Sequence, residues 1–67
     1  MKCRMYFKRE NEAYEFAFEK GALLCDILLL NNVIPDTVII FKDDVPVPED
    51  CEAEETEYLI FTTSSRG

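Results

Sequence analysis

Few side chains in this 67-residue chain are equipped for chemistry, and their spacing narrows the choice further. Cys3, Cys25 and Cys51 stand far apart with no Cys-x-x-Cys pair, and histidine is absent. A zinc site would need a fourth ligand, and an odd cysteine count is no disulfide framework. A cysteine nucleophile would lack its imidazole base. The three are expected as buried or half-buried thiols in a reducing compartment. With no paired-carboxylate cleft and no glycine-rich loop either, the sequence points away from an independent enzyme and from a metal site. What remains is the end of the chain. Residues 62–67, Thr-Thr-Ser-Ser-Arg-Gly, follow the apolar run Tyr58-Leu59-Ile60-Phe61, offer nothing to pack, and finish on the free carboxylate of Gly67. Such an end is either an accident of where a gene stops or the working end of the protein.

Composition limits the partners. Apolar residues make up 48% of the chain, enough for one small core. A net charge of −7 repels a phosphate backbone, so no nucleic acid is expected. From Asp43 to Glu57 there are eight acids and no base, whereas five of the seven bases fall in the first twenty residues. That stretch reads as a solvated loop or as a surface that steers a basic partner. The apolar stretch Ala22-Leu23-Leu24-Cys25 ends at Asp26, far too short to cross a bilayer, and no signal peptide is evident. A cytoplasmic monomer with no membrane partner is the expectation.

The elements that must position these groups follow from periodicity. In residues 2–8, Cys3, Met5 and Phe7 oppose Lys2, Arg4, Tyr6 and Lys8; in residues 13–19, Tyr14, Phe16 and Phe18 oppose Glu15, Ala17 and Glu19. Period two predicts two strands, with Arg9-Glu10-Asn11-Glu12 as the hairpin loop. Pairing Lys8 with Ala13 sets Phe7 against Tyr14, Met5 against Phe16 and Cys3 against Phe18. It also sets Lys2 opposite Glu19 and Tyr6 opposite Glu15. Gly21 breaks the strand, and residues 22–32 predict a helix of about three turns. Leu24, Ile27 and Leu28 form its core stripe, while Leu23, Leu29 and Leu30 cover a second flank or await a partner. Asn31-Asn32 close the helix, and Pro35 forbids its continuation. Thr37 to Lys42 predicts a strand with two useful faces, Asp43-Asp44 a turn, and Val45 to Pro48 at most an edge strand. The acidic stretch is irregular or one short helical turn, and residues 58–63 form the last strand. The order gives an α+β two-layer domain whose first and last strands pair in parallel at mid-sheet.

At this level the sequence resembles the ThiS/MoaD sulfur-carrier family and its archaeal ubiquitin-like small modifiers. The match rests on the opening strand MKCRMYF, on GALLCDILLLNNVIPDTVII, on DDVPVPED, and on a strand running into a C-terminal glycine. It implies a β-grasp (ubiquitin-like) fold over residues 1–61: a mixed four- to five-stranded sheet with one helix packed across one face. It also implies a flexible C-terminal tail over 62–67, through Ser64, Ser65 and Arg66. In this family an E1-like adenylating enzyme uses ATP to activate the terminal glycine carboxylate, here that of Gly67. The acyl-adenylate is then attacked by a sulfur donor, giving a thiocarboxylate for a sulfur acceptor, or is passed to a lysine of a target protein. Six extended residues reach about 20 Å, enough to enter another enzyme's active site. The family ends in Gly-Gly where this chain has Arg66-Gly67, and Glu54-Glu55-Thr56 replaces its usual Asp-Gly-Asp turn. A dedicated partner could accommodate the arginine, the chain could be a relative that no longer conjugates, or a further glycine could follow.

Both a carrier and a non-conjugating interaction module need a recognition surface. If Tyr58 and Ile60 pack on the helix, Leu59 and Phe61 point to the open sheet face, where Phe41 and Tyr6 join them as the expected partner-binding patch.

Overall fold

The computed structural model describes residues 1–63. Strands β1 (Lys2–Phe7) and β2 (Glu12–Ala17) form the N-terminal hairpin. Helix α1 (Leu24–Leu30) crosses to β3 (Val38–Lys42), followed by β4 (Val45–Val47) and β5 (Glu57–Thr62). The sheet order is β2-β1-β5-β3-β4, with β1 and β5 parallel and every other pair antiparallel. One helix packed on one face of this five-stranded mixed sheet is an α+β, β-grasp-like fold.

Alternation decides which side chains meet. Cys3, Met5, Tyr58, Ile60 and Ile40 are buried on the helix side, where they meet Leu24, Ile27 and Leu28. Each fully buried aliphatic side chain there contributes roughly 1.5–3 kcal/mol. The hairpin register departs from expectation by two residues. Cys3 faces Phe16, Met5 faces Tyr14, and Arg4 rather than Lys2 is the base opposite a glutamate, Glu15. The cause is the loop. Asn11 takes a left-handed conformation (φ 57°), and its N–H bonds the Phe7 carbonyl at 2.8 Å. Asparagine tolerates that geometry, so the turn closes over residues 8–11 instead of 9–12. A two-residue slip keeps every side chain on its own face.

The helix is shorter than the eleven-residue segment expected, and both ends have identifiable causes. Gly21 (φ 93°) sits where a turn closed by the Ala22 N–H on the Glu19 carbonyl needs a positive φ. Leu23 then stays extended because it bridges Glu52. No side chain caps the N-terminus. Instead the Leu24 and Cys25 N–H groups donate to the carbonyls of Cys51 and Glu49 at 2.9 and 2.8 Å, and Ala53 N–H returns to Ala22 O. At the other end Asn32 is left-handed (φ 65°), with Asn32 N–H on Leu29 O and Val33 N–H on Leu28 O. This is a Schellman closure with asparagine in the usual glycine position. A short 3-10 turn, Pro35–Thr37, follows and delays the start of β3 by one residue.

Between β3 and β4, Asp43 and Asp44 both take positive φ (52° and 66°), as a two-residue type I′ turn requires. Pro46 keeps β4 short and at the edge. The acidic segment from Glu49 to Thr56 is irregular and tethered at its far end by Glu54 N–H donating to the Tyr58 hydroxyl at 2.9 Å. Replacing Tyr58 by Phe should cost about 1 kcal/mol at neutral pH, read by urea denaturation. Burial raises the phenol above its ordinary value of 10.0. A raised folded-state pKa contributes stability below pH 10.0 that is lost as pH climbs through the folded value. The Tyr58→Phe protein should therefore lose stability less steeply than wild type above pH 10; identical slopes would contradict this role.

Candidate functional site

The side chains that β1, β3 and β5 turn away from the helix form the second surface of the sheet. Tyr6 lies opposite Leu59, Phe41 opposite Leu59, and Ile39 opposite Phe61. The Phe41 and Phe61 rings meet edge to face, with centroids 5.3 Å apart. Tyr6 donates its hydroxyl to the Asn11 side-chain carbonyl, which fixes the ring at one end of the patch. A depression of about 300 Å³ opens between Tyr6, Phe41 and Leu59, and Asp43, Asp44 and Glu57 border it. The centre is apolar and the border anionic.

All four residues expected for a patch, Tyr6, Phe41, Leu59 and Phe61, share this face. Phe61 is 38% exposed. Sequence reasoning missed Ile39, which is 44% exposed beside Phe61. Its parity with Phe41 was the available signal. The expected tail residues Ser64, Ser65, Arg66 and Gly67 lie outside the described residues. Thr62, counted with the tail over 62–67, instead belongs to β5 and faces Val38, and Thr63 N–H bonds Thr37 O at 2.7 Å. Strand pairing with β3 holds both, so the sheet carries the chain two residues beyond Phe61.

The potential nucleophiles stand apart from this face. All three cysteines are free; Cys3 is buried in the core, and Cys25 and Cys51 are half-buried. Burial pushes the Cys3 thiol above its ordinary range, which leaves it protonated and inert. The eight acids from Asp43 to Glu57 are all exposed. Among the described residues, two have basic neighbours: Lys42 Nζ lies 2.6 Å from Glu54, and Arg4 Nε lies 3.8 Å from Glu57. The Glu54 hydrogen bond holds the Lys42 ammonium above its ordinary pKa. Both pairs are solvent-exposed and worth little as stabilisers. The acidic stretch is not a free loop, however: its backbone closes the N-terminus of α1 while its carboxylates face solvent.

An apolar centre with Asp43, Asp44 and Glu57 along one side, the last beside Arg4, is suited to docking a protein surface with a basic edge. Phe61→Ala should lower stability by less than about 1.5 kcal/mol, because the ring lies outside the core. It should weaken a partner docked on this face by about 30-fold, as measured by calorimetric titration. Global unfolding of the variant would contradict the placement of Phe61. Neutralising Asp43, Asp44 and Glu57 together should slow association and flatten its salt dependence, seen by stopped flow. An unchanged association rate would remove any steering role.

A scan against protein-family models finds no match to this sequence, and a search of the curated proteins finds none either.

Proposed function

We propose that this chain is a small ubiquitin-like sulfur carrier or protein modifier, activated at its C-terminal glycine by an E1-like enzyme. The observation that carries the reading is the apolar sheet face opposite the helix, with β5 running through its middle. The strand that leads toward Gly67 also supplies Leu59 and Phe61 to that face. A partner docked there is positioned beside the segment that it must receive, and tying two reacting groups together in this way is a large part of what docking can contribute to catalysis.

In the proposed reaction the Gly67 carboxylate attacks the α-phosphorus of ATP in the partner's active site, releasing pyrophosphate and forming an acyl-adenylate. A sulfur donor then displaces AMP to leave a thiocarboxylate, or a lysine amine displaces it to leave an amide. The carrier contributes the carboxylate and the docking face, and the activating enzyme contributes the rest. Arg66 supports the second reading, a non-conjugating module that uses the same face, because a side chain next to the terminal glycine hinders passage through a narrow channel.

Incubation with ATP, an E1-like enzyme from the same organism and sulfide, followed by intact-mass measurement, separates the two. The carrier reading predicts replacement of one oxygen by sulfur at Gly67. Arg66→Gly should raise the rate of pyrophosphate exchange, and deletion of Gly67 should abolish it, both without change in melting temperature. Binding to the enzyme with no exchange by wild type or Arg66→Gly leaves the interaction module.

A further inference from the structure

Three cysteines cannot all pair, but the fold sets one of them aside. Cys3 is 2% exposed in the core, whereas Cys25 and Cys51 are half-buried and within reach of small molecules. The entry of α1 brings these two together. Leu23 bridges Glu52 in antiparallel fashion, with Leu24 N–H on Cys51 O at 2.9 Å and Ala53 N–H on Ala22 O at 2.8 Å. Leu24 therefore stands opposite Cys51. Cys25, the next residue, donates its N–H to Glu49 O at 2.8 Å, and Cys51 N–H closes a turn on Pro48 O at 3.2 Å. The backbone of Cys25 thus lies against the turn that ends in Cys51. A disulfide bridges Cα atoms roughly 4.4–6.8 Å apart, the separation across one rung of such a ladder. Neither thiol serves the docking face or the chemistry proposed at Gly67.

We propose that Cys25 and Cys51 form a reversible intramolecular disulfide, made by exchange with a small-molecule disulfide, that staples the entry of α1 to the acidic segment. One cysteine thiolate attacks a sulfur of the small disulfide and expels its first thiolate. The other cysteine then attacks the mixed disulfide and expels the second. The protein pair gives up two electrons and two protons, and the small disulfide leaves as two thiols. The place of the staple matters because α1 has seven residues and no side-chain cap, and its first turn is closed by the Glu49 and Cys51 carbonyls. A covalent link there holds that closure until it is reduced, and it also removes freedom from the unfolded chain. Cys3, enclosed in the core, takes no part in the exchange. The proposal does not depend on the carrier reading, since it uses neither the open sheet face nor Gly67.

The test equilibrates the full chain, at low concentration, in buffers of rising oxidised-to-reduced glutathione ratio. The intact mass should fall by two hydrogen atoms, and peptide mapping should link Cys25 to Cys51. The oxidised protein should melt about 5 °C or more above the reduced protein. Its Leu24 and Cys25 amides should exchange about tenfold more slowly. Cys25→Ser and Cys51→Ser should each stop at a single glutathione adduct. The proposal is overturned if the wild-type chain stays reduced or stops at glutathione adducts. A link to Cys3 or between two chains overturns it as well, as does an oxidised form that melts no higher than the reduced one.

Discussion

The parallel pairing of β1 with β5 is the constraint on which the other elements depend. Arg4 and Lys8 N–H groups reach Thr56 and Ile60 carbonyls at 3.0 Å each, which locks the first strand to the last. A parallel pair cannot be closed by a tight turn, so the chain between must cross over one face of the sheet. The hairpin, α1 and β3–β4 are arranged around that requirement. Met5 beside Tyr58 and Phe7 beside Ile60 build the core from this pair, and Tyr6 beside Leu59 begins the other face. One register therefore sets both the core and the candidate docking surface.

The helix contributes the second layer but cannot hold itself. Seven residues are too few for an isolated helix in water, and no side chain caps this one. Its first turn is completed by carbonyls of Glu49 and Cys51, so the acidic segment is structural in its backbone and electrostatic in its side chains. The Tyr58 hydroxyl ties the end of that segment to the central strand. Core, helix cap and acidic segment are thus joined by a few bonds made by residues 49–58.

Alternation made most of this legible in the sequence. Tyr58 and Ile60 pack under the helix, Leu24, Ile27 and Leu28 form its buried stripe, and Asp43-Asp44 turn, each as period and residue type imply. What was not legible depended on partners distant in sequence or on single backbone conformations. The hairpin slip comes from one left-handed residue, Asn11, and a shift of two leaves the hydrophobic pattern unchanged. The late start of α1 comes from the Leu23–Glu52 bridge, which no local pattern encodes. Ile39 shares its parity with Phe41 in the sequence, but its place beside Phe61 follows only from the strand pairing.

Native-state hydrogen exchange tests the central role of the β1–β5 pair most directly. If that pair organises the domain, the Arg4 and Lys8 amides exchange only through global unfolding, with the same denaturant dependence as the whole-protein transition. The Phe18 N–H bonds Met1 O, so alternation turns the Ala13, Glu15 and Ala17 amides away from β1, and these exchange far faster. If Arg4 and Lys8 instead exchange by local opening while the β1–β2 amides of Tyr14 and Phe16 stay protected, the hairpin is the stable unit and the account is wrong.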